Sequence, residues 1–397
     1  MKKKKSTKKA PEGFPRELLK QPKERWLEYF KSYGVEHTVF REAYAKLMKV
    51  VLGNSSKMLV FIIGPTGAGK TFLRECMEDQ LSAMADEDAN WNPSRIPFIN
   101  VEVPGKDTIR HSWADLYVRQ LRALYEPESF IGKKIIHGDL ALKFDVRGHL
   151  TFDSRASTRK YRYALEQALN YRDPIVVSFE EAQHLLDFGG LSFQEQTDCV
   201  KSIANMTKKR YALFGNYDMQ SLLDQSDQLM RRSAIIHLRS YGDSTADQND
   251  FRSTIYHFQL NMPFRETPDL LKHYHYLSER TASCVGILAD WLSDAYTQAI
   301  SEPRATTLEL KHLEDNVPLS RERAFKLRKR IVEDEKKFLQ EFADEAEESI
   351  HSDEDGGESA GEASNKEHPP RAKHRNRKVG ERAPERDDNG MNKRDAA

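Results

Sequence analysis

Residues 58–73 read MLVFIIGPTGAGKTFL, and this stretch decides the fold. Its first six residues are apolar and include β-branched side chains, which is typical of a buried parallel strand. A glycine-rich turn follows at residues 64–69, and residues 72–84 have the composition of a helix. The pattern G-x-x-x-x-G-K-[ST] therefore stands between a strand and a helix, the context that a phosphate-binding P-loop requires.

The residue types of this turn suit the phosphate groups of a nucleotide such as ATP. Glycines leave room for backbone N–H groups to surround phosphate oxygens, and the positive N-terminus of the next helix faces the same anion. Lys70 is predicted to bridge the β- and γ-phosphates, and the Thr71 hydroxyl to bind Mg²⁺. The alternative, a chance glycine-rich turn, is disfavoured by the lysine, the threonine and both flanking elements. The predicted nucleotide-binding residues of the P-loop are Gly64, Pro65, Thr66, Gly67, Ala68, Gly69, Lys70, Thr71 and Phe72.

A second, mostly apolar run at residues 174–179 ends in two carboxylates, Glu180 and Glu181. In a parallel sheet this strand end lies at the same edge as the bound phosphates. We predict that Glu180 holds the Mg²⁺ shell and that Glu181 polarises the attacking water. P-loop ATPases of this type mostly have Asp at the position that Glu180 occupies. This departure bears on the rate of hydrolysis more than on nucleotide binding. The alternative is a strand followed by an acidic helix N-terminus.

Two further polar features lie next to predicted strands: an asparagine that follows one strand and an arginine pair that precedes another. Asn216 comes directly after the strand predicted at residues 211–215, where it can hydrogen-bond the γ-phosphate or its water, although Asn is also an ordinary turn former. Arg231 and Arg232 precede the strand predicted at residues 234–238. In a ring or helix of subunits, an arginine here faces the neighbour's γ-phosphate and stabilises transition-state charge. A surface ion pair is the alternative for these arginines.

The region before the P-loop is predicted to be helical over residues 22–51, because its apolar side chains recur at three- and four-residue spacing. A turn at residues 34–37 interrupts it. His37 is a candidate contact to the adenine base, and a plain helix start is the alternative.

Composition limits the function classes. The 397 residues contain 62 Lys+Arg and 62 Asp+Glu, and this zero net charge argues against a globally basic coat for nucleic acid, although the charge is unevenly placed. Three widely spaced cysteines lack metal-site spacing and indicate reduced thiols in a cytosol-like compartment. No apolar run is long enough for a membrane span, and the basic N-terminus lacks the apolar region of a secretory signal.

Charge and periodicity divide the chain into segments. The predicted fold is α/β, with a five-stranded parallel sheet and a small all-helical lid. Charge runs rich in Gly, Ser and Pro mark both ends as disordered. The predicted segments are a basic arm at 1–20, helices at 21–56, the α/β core at 57–241 with a hairpin-bearing insertion at about 126–153, the lid at 242–320, a helix at 321–350 and a disordered tail at 351–397.

The predicted features are five strands, a P-loop, an acidic pair, a polar strand end, an arginine pair and a helical lid. Their order is the layout of an AAA+ ATPase. The segment SFEEAQHLL, residues 178–186, resembles the Walker B segment of transposon-encoded AAA+ regulators of the TnsC and TniB type, relatives of MuB. Residues 215–241 resemble their block from sensor 1 to the fifth strand, and residues 279–300 resemble their lid segment. The resemblance covers residues 35–301.

This resemblance implies an ATP- and Mg²⁺-dependent enzyme that hydrolyses ATP and oligomerises as rings or filaments on double-stranded DNA. It implies that the protein recruits and activates transposase subunits, works with a target-selection protein and is cytoplasmic in bacteria, with no membrane partner. By matching, the roles fall on Lys70 and Thr71 for nucleotide and Mg²⁺, Glu180 and Glu181 for Walker B, Asn216 for sensor 1, and Arg231 or Arg232 for the arginine finger. Two departures stand out: the Walker B pair begins with Glu, and the lid motif at residues 283–286 lacks the sensor 2 arginine of many AAA+ proteins.

DNA contacts in this family come from loops near the central channel of the oligomer. Contacts there are to phosphates, so binding is expected to tolerate sequence and to weaken with salt. Solvated side chains are the alternative reading of each cation. The candidate DNA-binding residues are Lys106, Thr108, Arg110, Lys208, Lys209 and Arg210.

Three other functions share parts of this pattern. A replication initiator or helicase loader has the same core and should carry a further DNA-binding or helicase-interaction domain. A weakly hydrolysing scaffold, in which nucleotide only stabilises subunit contacts, is suggested by Glu180. A small-molecule kinase is disfavoured by the arginine pair and the helical lid.

Overall fold

Five parallel strands form the central sheet, in the order β2-β6-β7-β1-β8. The computed structural model describes residues 13–105, 113–125, 134–137, 140–144, 150–151, 156–188, 193–223, 233–303 and 305–351. The predictions for Lys106, Thr108, Arg110, Arg231 and Arg232, and those for the basic arm before residue 13 and the tail after residue 351, lie outside these residues. The strands are β1 Leu59–Ile63, β2 Phe98–Glu102, β3 Lys134–His137, β4 Leu140–Phe144, β5 Leu150–Thr151, β6 Val176–Glu180, β7 Arg210–Gly215 and β8 Ser233–His237.

Helices cover both faces of this sheet and extend the chain beyond it. The α-helices are α1 Lys23–Ser32, α2 Thr38–Leu52, α3 Lys70–Glu87, α4 Trp113–Leu124, α5 Thr158–Arg172, α6 Phe193–Thr207, α7 Gln220–Leu223, α8 Thr245–Leu260, α9 Tyr274–Thr281, α10 Val285–Ser301, α11 Leu310–Asp315 and α12 Arg321–His351. The predicted α/β fold with a five-stranded parallel sheet is confirmed.

Strand β1 lies between β7 and β8 and is buried along its whole length. Its side chains alternate between two cores, with Phe61 and Ile63 on one face and Val60 and Ile62 on the other. A strand covered on both faces needs a continuous apolar run, and this is the pattern that the sequence shows before the P-loop. The interior position of β1 places the P-loop at the sheet's carboxyl edge, between the ends of β7 and β8.

A small antiparallel sheet lies within the segment that was expected to hold a hairpin. Its strand order is β3-β4-β5, and Ile135 pairs with Leu142 in the first two strands. The third strand pairs Phe144 with Leu150. The described strands of the insertion therefore form a sheet of their own, separate from the central one.

The first helix after β8 begins within residues 241–249, a segment rich in the residue types that favour turns. Helix α8 starts there, at Thr245. Ser244 caps this helix, since its hydroxyl oxygen accepts a hydrogen bond from the backbone N–H of Asp247 at 3.1 Å. This Ser-x-x-Asp spacing resembles a capping box, so the segment that looked turn-forming is a helix start.

The long helix α12 packs within the same chain. Phe338 is fully buried and its ring centroid lies 4.5 Å from that of His237 in β8, and Ile331 is buried beside Cys284. Not every apolar side chain of this helix is buried, because Phe325 and Val332 are exposed. Among the described residues, no helix has both the length and the apolar character that a bilayer span requires.

Candidate nucleotide-binding site

A cavity of about 450 Å³ opens at the carboxyl edge of the sheet, around the P-loop. Residues from five parts of the chain form its walls. They include Lys31, Gly34 and His37 before the sheet, residues 66–72 of the P-loop and α3, Glu181, Gln183 and Asn216 at the ends of β6 and β7, Phe258 of α8, and Val285, Gly286, Ala289 and Asp290 of α10.

The P-loop backbone has the conformation that its glycines allow. Gly67 and Gly69 have φ values of 79° and 94°, in the left-handed region that favours glycine. The position of a Cβ on Gly69 has no atom within 4 Å, so the chain is open there toward the cavity. Gly69 precedes α3 with no side-chain cap, which leaves the first backbone N–H groups of this helix available to an anion.

Lys70 lies at the start of α3 with its side chain folded over the loop. Its Nζ donates hydrogen bonds to the carbonyl oxygens of Gly64 at 3.0 Å and Pro65 at 2.9 Å. Burial lowers the pKa of Lys70 to about 8, and the nearby Glu181 carboxylate opposes this shift. A phosphate in the cavity would offer the ammonium stronger, charge-assisted acceptors than these carbonyl groups.

The lid touches the P-loop directly. The backbone N–H of Gly286, in the first turn of α10, donates to the carbonyl oxygen of Gly67 at 2.7 Å. A Cβ on Gly286 would lie 2.6 Å from that oxygen, and a Cβ on Gly67 would lie 2.4 Å from Cγ1 of Ile287. Only glycine permits this approach at both positions. The sequence pattern located the lid segment but gave no sign of the contact.

Glu181 borders the cavity in a strained backbone conformation. Its φ is 50°, which is uncommon for a residue with a side chain. Such a conformation costs energy, and residues in it are found most often at functional sites. Gln183 donates to Oε2 of Glu181 at 2.6 Å, and its own Oε1 accepts from the backbone N–H of Asn216 at 3.3 Å. Gln183 thus links the ends of β6 and β7, a role that the sequence analysis missed because glutamine carries no motif signal.

Glu180 does not line the cavity in the way that Glu181 does. Its Oε1 lies 2.9 Å from Nε of Arg74 on α3, and Arg74 also pairs with the carboxylate of Glu78. Although burial alone would lower it, hydrogen bonds to these two carboxylates raise the pKa of Arg74. The first acid therefore has a guanidinium partner, while the second acid faces the cavity. In the sequence, the four-residue spacing of Arg74 and Glu78 on one helix was the pattern that could have indicated an ion pair on α3.

His37 and Phe72 also line the cavity. His37 caps α2, since its Nδ1 accepts from the backbone N–H of Phe40 at 3.4 Å and lies 2.9 Å from the Tyr241 hydroxyl. Phe72 lies so close to Gly34 that an added Cβ there would come within 1.6 Å of its Cζ. The ring nitrogen of His37 thus acts as a helix cap, which agrees with the alternative of a plain helix start. The residue also borders the nucleotide cavity.

The side chains present suit a metal ion that arrives with a nucleotide. No cluster of three or more His, Cys, Asp or Glu side chains within the described part of the chain could hold a metal by itself. Thr71 and Glu181 border the cavity as isolated oxygen donors. Mg²⁺ prefers oxygen ligands and keeps phosphate oxygens and waters in its shell, so a hydroxyl and one carboxylate are an adequate protein contribution.

Three of the candidate DNA-binding cations lie within the described residues, just before and at the start of β7. Lys209 pairs with the carboxylate of Asp173. Arg210 donates to the carbonyl oxygens of Val51 at 3.1 Å and Gly53 at 2.6 Å. Lys208 is exposed. Two of the three cations therefore make contacts inside the chain, and all three lie at the sheet edge opposite the P-loop.

Comparisons with known proteins agree with this architecture. Residues 53–223 match the family model described as AAA domain. The structure of the Aeropyrum pernix ORC2 protein in its ADPNP–ADP complexes is 14 % identical, with a TM-score of 0.48, and the match covers 72 % of this chain and 68 % of that one. The Aeropyrum pernix ORC1 protein in complex with DNA is 15 % identical, with a TM-score of 0.46, over 74 % and 68 % of the two chains. No curated protein matches the chain significantly.

The sheet and the P-loop are those of a P-loop nucleotide-binding fold, and residues 53–223 are similar to the AAA domain family. The fold is that of the AAA+ P-loop proteins, with a helical segment after the sheet.

Proposed function

We propose that this chain is an ATP-dependent, DNA-binding AAA+ regulator of DNA transposition. In its ATP-bound state it assembles as a ring or filament on target DNA and recruits a transposase, and hydrolysis releases it. The observation that carries the proposal is the P-loop cavity, which Gly286 of the lid contacts on one side and Glu181 and Asn216 border on the other. The sequence segments around these three residues are those that resemble the transposition regulators.

Each cavity residue has a role in this proposal. Lys70 leaves the carbonyl groups of its own loop and binds the β- and γ-phosphates, while the Thr71 hydroxyl joins the Mg²⁺ shell. Bound Mg²⁺ neutralises phosphate charge and polarises the transferred group. Glu181 orients and polarises the attacking water, and Asn216 fixes the position of that water or of the γ-phosphate. Glu180 contributes to the Mg²⁺ shell through a bound water, provided that its pair with Arg74 loosens.

The arginine finger is proposed to act on a neighbouring subunit. Ser233, the first described residue after Arg231 and Arg232, pairs with Leu59 at the start of β1. The P-loop follows the other end of this strand, five residues or about 17 Å away at the usual rise of a strand. The start of β8 is therefore far from the P-loop of its own chain, which supports a finger that acts on another copy of the chain.

DNA binding is proposed to involve phosphate contacts. Lys208 is exposed beside the start of β7, and Lys106, Thr108 and Arg110 follow the strand β2 in sequence. Because phosphate contacts carry no base information, affinity should tolerate sequence and fall steeply with salt.

A weakly hydrolysing scaffold is the second candidate, and the Arg74–Glu180 ion pair favours it. A carboxylate that is neutralised by a guanidinium at 2.9 Å is a poorer acceptor for the Mg²⁺ shell than a free one. Nucleotide would then hold subunits together, as in the first proposal, but turnover would be slow. The two candidates differ in the rate of hydrolysis and agree on nucleotide-dependent assembly.

The proposed function is tested by fluorescence anisotropy of a labelled random-sequence duplex. The protein is mixed with the duplex under no nucleotide, ADP, ATP and ATPγS, with Lys70→Ala as the control, and the same samples are imaged by negative stain. Cooperative binding with ATP or ATPγS alone, together with rings or filaments, supports the proposal. Binding that ignores nucleotide, or no binding in any state, contradicts it.

A further inference from the structure

A second, smaller cavity of about 100 Å³ lies between the P-loop and α12. Thr66 of the P-loop and Asn216 at the end of β7 line it, and both residues also line the nucleotide cavity. The opposite wall comes from α12 and includes Arg330 and Asp334. The two cavities therefore meet at the side of the P-loop where Asn216 lies, the side on which the terminal phosphate is expected.

Helix α12 is held firmly on both sides of Arg330. Two residues before it, Arg328 donates from Nη1 to the carbonyl oxygen of Tyr241 at 2.6 Å. Eight residues after it, Phe338 is fully buried against His237. A side chain at position 330 thus projects from a fixed backbone toward the shared wall of the two cavities.

Arg330 itself is loosely engaged. Its Nε lies 3.6 Å from Oδ2 of Asp334, one turn later, and 73 % of the Arg330 side chain is exposed. An exposed pair of this kind contributes little to stability, so the guanidinium exchanges its partner readily for a stronger anion. The planar donor fork of arginine matches the oxygens of a phosphate.

The described part of the nucleotide cavity has few positive charges for a triphosphate. Its only lysine or arginine side chains are Lys31 and Lys70. The residues of α10 that border it near the P-loop are Val285, Gly286 and Ala289, none of which is basic. An arginine from a different element would supply the missing charge, and Arg330 is the arginine that lines the adjoining cavity.

We propose that the Arg330 guanidinium binds the terminal phosphate of a nucleoside triphosphate held by the P-loop of the same chain, and that it leaves Asp334 to do so. The inference rests on the proposed nucleotide-binding function of the larger cavity. Because a diphosphate offers no terminal group at that position, Arg330 gives α12 a contact that exists only in the triphosphate state. The helix at residues 321–351 then distinguishes the two nucleotide states.

The test is equilibrium binding of fluorescent (mant) ADP and mant-ATPγS to the full chain with Mg²⁺. Arg330→Gln should weaken mant-ATPγS binding about tenfold, which is the effect of losing about 1.4 kcal/mol, and leave mant-ADP binding within about twofold. Asp334→Asn should tighten mant-ATPγS binding, because the competing carboxylate is gone.

Lys329→Ala is the matched control, since Lys329 is similarly exposed on α12 and pairs with Glu333 one turn later at 3.8 Å. It should leave the affinity for both nucleotides unchanged. An Arg330→Gln protein with the wild-type ratio of ATPγS to ADP affinity would overturn the inference, as would an equal effect of Lys329→Ala. A wild-type protein that binds neither nucleotide would instead refute the proposed function.

Discussion

The backbone N–H of Gly286 donates a hydrogen bond to the carbonyl oxygen of Gly67, with an N···O distance of 2.7 Å. This bond joins the first turn of the lid helix α10 to the middle of the P-loop, more than 200 residues away in sequence. It makes the lid a direct neighbour of the phosphate-binding backbone. The P-loop and the lid are thus joined backbone to backbone, without an intermediate side chain.

Gly286→Ala should weaken ATP binding by at least tenfold, because the added Cβ would lie 2.6 Å from the Gly67 oxygen and force the lid away from the P-loop. The measurement is a titration with mant-ATPγS. Gly105→Ala is the control, since its added Cβ would meet only His184 at 3.4 Å, and it should leave ATP affinity unchanged. Equal affinities of the two variants would contradict the role given to the lid contact.

The two acids should differ in their effect on hydrolysis. Glu181→Gln should lower the rate of phosphate release by about 100-fold or more without loss of ATP affinity, since Glu181 borders the cavity and is the proposed base. Glu180→Gln should lower that rate by less than about tenfold, because Glu180 is paired with Arg74. Steady-state phosphate release at saturating ATP measures both. The reverse order of effects would mean that the roles are exchanged.

Arg74→Met should cost about 2–3 kcal/mol of the free energy of unfolding, because it leaves the carboxylates of Glu78 and Glu180 with no guanidinium in a largely buried position. Urea unfolding monitored by circular dichroism gives the value. Arg25→Met removes an exposed pair with Glu28 and should change stability by less than about 0.5 kcal/mol. A loss for Arg74→Met as small as that of the control would show that the cluster is not structural.

His37 should make the protein less stable below neutral pH. Burial, together with the positive charges of Arg239 and Arg41, lowers the pKa of His37 to about 4. Its Nδ1 accepts a hydrogen bond from the backbone N–H of Phe40 and lies 2.9 Å from the Tyr241 hydroxyl. An unfolded histidine titrates near about pH 6.5. Between these values the unfolded state binds more protons, so the free energy of unfolding falls as pH is lowered from 6.5 to 4, by at most about 1.4 kcal/mol per pH unit for this residue.

The control for this prediction is His37→Asn, because asparagine keeps a helix-capping acceptor but does not titrate in this range. Its unfolding free energy should depend less steeply on pH than that of the wild type between pH 6.5 and 4. Parallel curves for the two proteins would show that His37 is not responsible.

The sequence predicted the sheet and the P-loop because both depend on local patterns. The apolar run before Gly64 indicates a strand that is buried on both faces. The spacing of the glycines and Lys70 is typical of a phosphate-binding P-loop. The acidic pair and Asn216 could be placed at the carboxyl edge for the same reason: parallel strands end at one edge.

The remaining features depend on contacts between distant residues, which no local pattern reports. Nothing in the sequence around Gly286 indicates that it meets Gly67, and nothing around Arg330 indicates that α12 lies beside the P-loop. The ion pair of Glu180 with Arg74 was missed because a motif suggests what a carboxylate binds in related sites and not which side chain competes for it.

The most direct test of the central claim is the lifetime of the DNA complex as ATP is consumed. Wild-type protein and Glu181→Gln are assembled on a labelled duplex with a limited amount of ATP, and the anisotropy is followed over time alongside phosphate release. If hydrolysis is the release step, the wild-type signal should decay at the rate at which ATP is exhausted, and the Glu181→Gln complex should persist at least about ten times longer. Decay of both complexes at the same rate, or a complex that forms equally well without ATP, would contradict the account.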